Sequence, residues 1–114
     1  HVKPGATISA VGAYRPDMQE IDPQLVAAAD KVFCDDRKAV LAESGDIIIP
    51  LQEGLIEEKK LVDLAQVLTG EAEGRTGGEQ VILFETVGFA AEDLMAAATI
   101  YEVAKERGYG TVWA

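Results

Sequence analysis

Two short segments hold the residues best placed to do chemistry. Gly12-Ala13-Tyr14-Arg15 follows an apolar run that begins at Thr7, and Thr86-Val87-Gly88 follows the run "QVILFE". A glycine just past a strand lets a ligand approach the backbone, although chain reversal alone also calls for glycine there. Tyr14 can line a crevice with a flat ring and a phenol, or lie half-packed on Met18 at the surface. Arg15 is a lone cation of the kind that is usually solvated. Other chemistries find little support. Cys34, the one cysteine, sits inside "KVFCDD", while the one histidine is the distant His1. A thiol without a nearby base is a buried inert side chain rather than a nucleophile. No cluster has metal-ligand spacing. Glu43 and Asp46 flank Ser44-Gly45 and could reach a crevice wall, though turn chemistry accounts for them as well. Glu57 to Lys60 read as a solvated helix face.

The composition fits such a pocket-bearing domain. The chain has 114 residues, 48% of them hydrophobic, enough for one packed core. Its 10 basic and 20 acidic residues give a net charge of −10, which disfavours nucleic acid and anionic membrane. No apolar run approaches the length of a membrane span, and no leader opens the sequence. A lone cysteine suits a reducing compartment, so a cytoplasmic location is expected.

The elements that must position the two segments can be read along the chain. Pro4-Gly5 is a turn. Thr7 to Ala13 reads as a strand covered on both faces. Asp22-Pro23 starts a helix over Gln24 to Ala29, with Asp as cap and Pro at its first position. "KVFCD" is a second strand. Asp35 or Asp36 then caps a helix from Arg37 to Ser44, which Gly45 ends in a left-handed conformation. "DIIIPL" is a third apolar run, with Pro50 stopping a longer strand or moving it to an edge. Leu61, Leu64, Ala65 and Leu68 fall on one helical face, closed by Gly70. "EAEGRTGGE" is an exposed loop and "QVILFETVG" the clearest strand. A long helix runs from Ala91 to Arg107 with acidic residues in its first turn and basic ones in its last, and stops at Gly108.

Strands alternating with helices imply one α/β domain over residues 1–114, a layered and mostly parallel sheet with a long C-terminal helix. Ligands of open α/β sheets lie outside the carboxyl ends of the strands. Both segments follow strands, so they are the candidate site.

The blocks "VKPGATISAVGAYRPDMQEID", "ESGDIIIP" and "GEAEGRTGGEQVILFETVGFAAEDLMAAATIYEVA" resemble the ornithine cyclodeaminase/μ-crystallin family in order and spacing along nearly the whole chain. The resemblance implies a partial Rossmann-like fold, the C-terminal portion of a larger NAD(P)-binding enzyme. It assigns Gly12, Ala13, Tyr14, Thr86, Val87 and Gly88 to the nicotinamide half of NAD or NADP. Thr86 would bond the carboxamide or cap the final helix. The family's glycine-rich dinucleotide fingerprint is absent, since Gly74, Gly77 and Gly78 have the wrong spacing. The pyrophosphate cradle and substrate-binding basic residues would then lie upstream of His1, and this chain alone would be inactive.

Tyr14 occupies the position where cyclodeaminases of this family have an aspartate. A carboxylate can stabilise a developing iminium, whereas a phenol with a pKa of about 10 does so poorly. The resemblance therefore points to a ketimine reductase of the pyrroline-2-carboxylate type, acting on a small amino or imino acid, more than to a true cyclodeaminase. The alternative is a non-catalytic, μ-crystallin-like ligand-binding protein. The final helix, apolar around most of its circumference, should seek cover from a second copy or from the rest of a larger enzyme.

Overall fold

A computed structural model describes residues 1–111 and 113. Four parallel strands form one sheet in the order β1-β4-β2-β3: β1 Thr7–Ala10, β2 Lys31–Cys34, β3 Leu61–Asp63 and β4 Ile82–Glu85. In register, Ala10 and Cys34 flank Glu85, so three strands end level with one another. The expected layered parallel sheet is present.

One face of the sheet carries α1 (Pro23–Ala28), α2 (Arg37–Glu43) and α3 (Gly45–Gln52). Ala10, Val26, Val32, Val40, Ile47 and Leu83 close the core between them. Period-two alternation explains the choice of residues, since Leu83 and Glu85 on β4 point to the same side. Asp22 caps α1 and Asp36 caps α2, each through its carboxylate, to Gln24 N and Ala39 N respectively. A short helix, α4 (Leu64–Leu68), closes with Gly70 at φ 81°, and the long α5 (Ala90–Glu106) closes with Gly108 at φ 68°.

Several expectations need correction. The strand foreseen over Thr7 to Ala13 stops at Ala10, because Val11 and Gly12 turn their amides to a side chain. "DIIIPL" is no strand but the body of α3. The run of isoleucines favours strands locally, yet Asp46 is tied by its side chain to Glu20 and Ile21 and starts a helical turn there. Pro50 sits inside that helix and is buried against the core. Gly45 is not a left-handed stop. It opens α3, it is buried, and a Cβ there would lie 2.1 Å from Met18 O. It is glycine for close approach of backbone, not for positive φ. Leu61 belongs to β3, a strand too short to show alternation, and not to the helical face of Leu64. Within the charge run, Glu58–Lys60 is a single 3₁₀ turn, and Lys60 is half-buried with its ammonium on Ala27 O.

Candidate functional site

The carboxyl end of the sheet gathers the two segments singled out above. Thr86 N donates to Ala10 O at 3.1 Å, so the loop after β4 begins alongside the end of β1. Gly12-Ala13-Tyr14 and Thr86-Val87-Gly88 therefore leave adjacent parallel strands at one rim. Gly12, Tyr14 and Gly88 are exposed, Thr86 and Val87 half-buried, and Ala13 is buried as the floor of its loop. Tyr14 is 62% exposed and free to present its ring to a ligand.

Asp35, at the end of β2, organises the second loop. Its Oδ2 accepts from the Thr86 hydroxyl and from Gly88 N, the latter at 3.1 Å. Gly88 N also reaches Thr86 Oγ1 at 3.2 Å. Gly88 has φ 89° with nothing near its Cβ position, so here the glycine serves the backbone turn. Thr86 does not cap the final helix. Phe89 stands at that cap, without a side-chain bond, and the Thr86 hydroxyl is committed to Asp35.

The first loop is organised by Glu20 and, behind it, by Asp46. Glu20 Oε1 accepts from Val11 N and Gly12 N. Asp46 is fully buried at the start of α3, and burial pushes its carboxyl above the ordinary range while the Ile21 and Glu20 amides oppose the shift. Asp46 thus supports the rim from beneath and does not line it, while Glu43 is exposed and Arg15 pairs with Asp17 at 3.0 Å on the surface. The Cys34 thiol is buried and pushed up to about 12, first by burial and then by Asp63, Glu85 and Asp35, so it stays protonated.

A cleft of about 600 Å³ is lined by Asp35, Arg37, Leu41, Asp63 and Phe89. The rim and this cleft share Asp35. Among the described residues no helix is long and apolar enough to cross a membrane.

Sequence patterns do not reveal the roles of Asp35 and Glu20, nor the buried pair beneath the rim in which Ser44 donates to Glu85. A hint existed for Asp35: of two consecutive carboxylates after a strand, only one can cap the next helix. A hint existed for Glu85 too, a charge at an inward position of the clearest strand.

The sequence and the fold are shared with known proteins. The sequence profile of the ornithine cyclodeaminase/mu-crystallin family matches residues 1–108. The chain belongs to that family. A Delta(1)-pyrroline-2-carboxylate reductase of Bacillus cereus is 41% identical over 107 residues, covering 93% of this chain and 33% of that protein. The ketimine reductase mu-crystallin of Mus musculus is 39% identical over 101 residues, covering 89% of this chain and 29% of that protein. Among solved structures, the Delta(1)-pyrroline-2-carboxylate reductase of Thermococcus litoralis in complex with NADH and L-proline superposes with a TM-score of 0.87 at 39% identity. That match covers 98% of this chain and 35% of the other. The chain thus spans about a third of the length of the relatives it matches.

Proposed function

We infer that this chain forms the nicotinamide-side part of an NAD(P)-dependent ketimine reductase that acts on a small cyclic imino acid. The observation that carries this reading is the meeting of Gly12-Ala13-Tyr14 and Thr86-Val87-Gly88 at the ends of two adjacent parallel strands. Two neighbouring loops with exposed backbone at a strand-end rim suit a flat ring, and the named relatives act in that chemistry.

Exposed backbone at Gly12 and Gly88 suits close approach by the nicotinamide half of NAD or NADP, and the Tyr14 ring would lie against a planar partner. When bound, the dinucleotide would supply the hydride. The chain's own part is orientation and exclusion of water: two loops held by carboxylates at Glu20 and Asp35 keep the rim in one shape. Tyr14 in place of the cyclodeaminase aspartate favours reduction of a preformed imine, which needs no carboxylate at that position. The pyrophosphate and substrate groups would come from the remainder of a larger protein. Covering α5 would fall to that remainder or to a second copy.

Titration of the full-length protein with reduced dinucleotide, followed by nicotinamide fluorescence, and then with Δ1-pyrroline-2-carboxylate tests the reading. Binding with dinucleotide oxidation on adding the imino acid is expected. Tight binding with no turnover of any cyclic imine would favour the non-catalytic, mu-crystallin-like binder instead, and no binding at all rejects both.

A further inference from the structure

Glu20 lies outside both rim loops, yet its carboxylate shapes the first. Pairing of β1 with β4 stops at Ala10, which leaves the next amides without a strand partner. Glu20 Oε1 takes both of them, from Val11 N at 2.7 Å and from Gly12 N at 2.8 Å. A carboxylate accepting backbone N–H groups makes bonds roughly twice as strong as neutral ones. The approach is also close. A Cβ on Gly12 would fall 2.1 Å from Glu20 Oε2, and Gly12 has no positive φ to explain its presence otherwise. Gly12 is thus a glycine that makes room for Glu20.

Glu20 is itself held in place. Its amide and that of Ile21 both donate to Asp46 Oδ1 at 2.9 Å, and Asp46 is completely buried. At the other end of the same segment, Gly45 N donates to Arg15 O at 3.2 Å. The stretch from Arg15 to Ile21 is therefore fastened at both ends to the start of α3, with the Glu20 side chain reaching back to the rim.

We propose that Glu20 is a positioning residue of the nicotinamide crevice: it sets the backbone of Val11 and Gly12, and through them Ala13 and Tyr14, in the shape that accepts the cofactor, while Asp46 holds Glu20 in place. The proposal rests on the reading of the rim as the nicotinamide site. Glu20 touches no ligand in this role and acts through two peptide groups.

Glu20→Ala and Glu20→Gln in the full-length protein separate positioning from general stabilisation. The glutamine amide oxygen can accept the same two N–H groups, and alanine cannot. Glu20→Ala is expected to raise KM for the reduced dinucleotide on the order of tenfold with kcat little changed, about 1.4 kcal/mol of cofactor binding, because the freed amides of Val11 and Gly12 are exposed and water replaces part of what the carboxylate gave them. Glu20→Gln, which accepts the same bonds without the charge, should give a KM between the parent value and that of the alanine variant. Amide hydrogen exchange at Val11 and Gly12, measured without cofactor, should speed up in the alanine variant and stay slow in the glutamine variant. If Glu20→Ala does not fold, Glu20→Asp, which shortens the reach by one methylene, takes its place with the same expected loss. Unchanged KM in the alanine or aspartate variant, or a glutamine variant as impaired as alanine, overturns the proposal alone. Parent protein that binds no reduced dinucleotide overturns the functional reading, and the proposal with it.

Discussion

Ser44 donates its hydroxyl to Glu85 Oε1 at 2.7 Å, in a contact where neither residue reaches solvent. Glu85 ends β4 beneath both rim loops, and Ser44 joins α2 to α3. The second oxygen, Glu85 Oε2, has no partner among the described residues. Burial pushes this carboxyl up to about 7 against the opposing Ser44 bond, with the negative charges of Asp46, Glu20 and Asp35 adding to the rise. The carboxyl end of the sheet thus holds several acids, and Glu85 among them keeps its proton well above the ordinary carboxylate range.

That proton makes stability pH-dependent in a definite direction. A carboxyl raised from 4.5 to about 7 on folding binds its proton more tightly in the folded state. Stability is complete below 4.5 and falls as pH rises through the window up to about 7. The full loss is about 3 kcal/mol. Asp46, shifted in the same direction, contributes with the same sign. Glu85→Gln keeps an acceptor for Ser44 and removes the titration. Urea unfolding at pH 5 and pH 8 should show the parent losing stability relative to this variant by about 2–3 kcal/mol at the higher pH. An equal difference at both values refutes the assignment.

The glycines at the site separate by mechanism. Gly45→Ala drives a Cβ to 2.1 Å from a backbone oxygen in a buried place, so it should cost about 2–4 kcal/mol. Gly88→Ala meets nothing and costs only the left-handed backbone, about 1–2 kcal/mol. Denaturant midpoints measured on both variants should fall in that order, and a reversed order would contradict the close approach at Met18.

Asp35 should matter to the second loop more than its place beside a capping aspartate suggests. Asp35→Ala leaves the Thr86 hydroxyl and the Gly88 amide without their acceptor. A loss of about 1–3 kcal/mol in stability is expected, together with faster amide exchange at Gly88. Asp35→Asn, which still offers an oxygen, should fall between parent and alanine. Exchange at Gly88 identical in all three proteins would detach Asp35 from the loop.

Strong local signals explain what was legible in the sequence. Asp22-Pro23, the run "QVILFE" and the acidic start and basic end of α5 each carry their cause within a few residues, and the helices and central strand follow from them. The rim position of Gly12 and Gly88 was legible too, since it follows from strand ends in a parallel sheet. What was hidden depends on contacts far apart in the chain. Ile47, Ile48 and Ile49 look like a strand until Asp46 is seen bonded to Glu20 and Ile21, more than twenty positions away. Gly12 looks like a turn glycine until Glu20 is placed against it. Pairwise spacing carries no sign of either.

The final helix supports the last prediction. No residue of α5 is buried, and Leu94, Met95, Ile100 and Tyr101 are each at least 63% exposed. Large apolar side chains left exposed all round one helix mark an interaction surface. The 114-residue chain by itself should therefore self-associate through α5. Analytical ultracentrifugation is expected to show species larger than one copy whose share grows with concentration. Replacing Leu94 and Ile100 together by glutamate puts like charges into that contact and should return the chain to a single copy, with little loss of stability because neither side chain is in the core. A parent chain that sediments as one copy at high concentration would leave the helix to be covered only by another part of a larger protein.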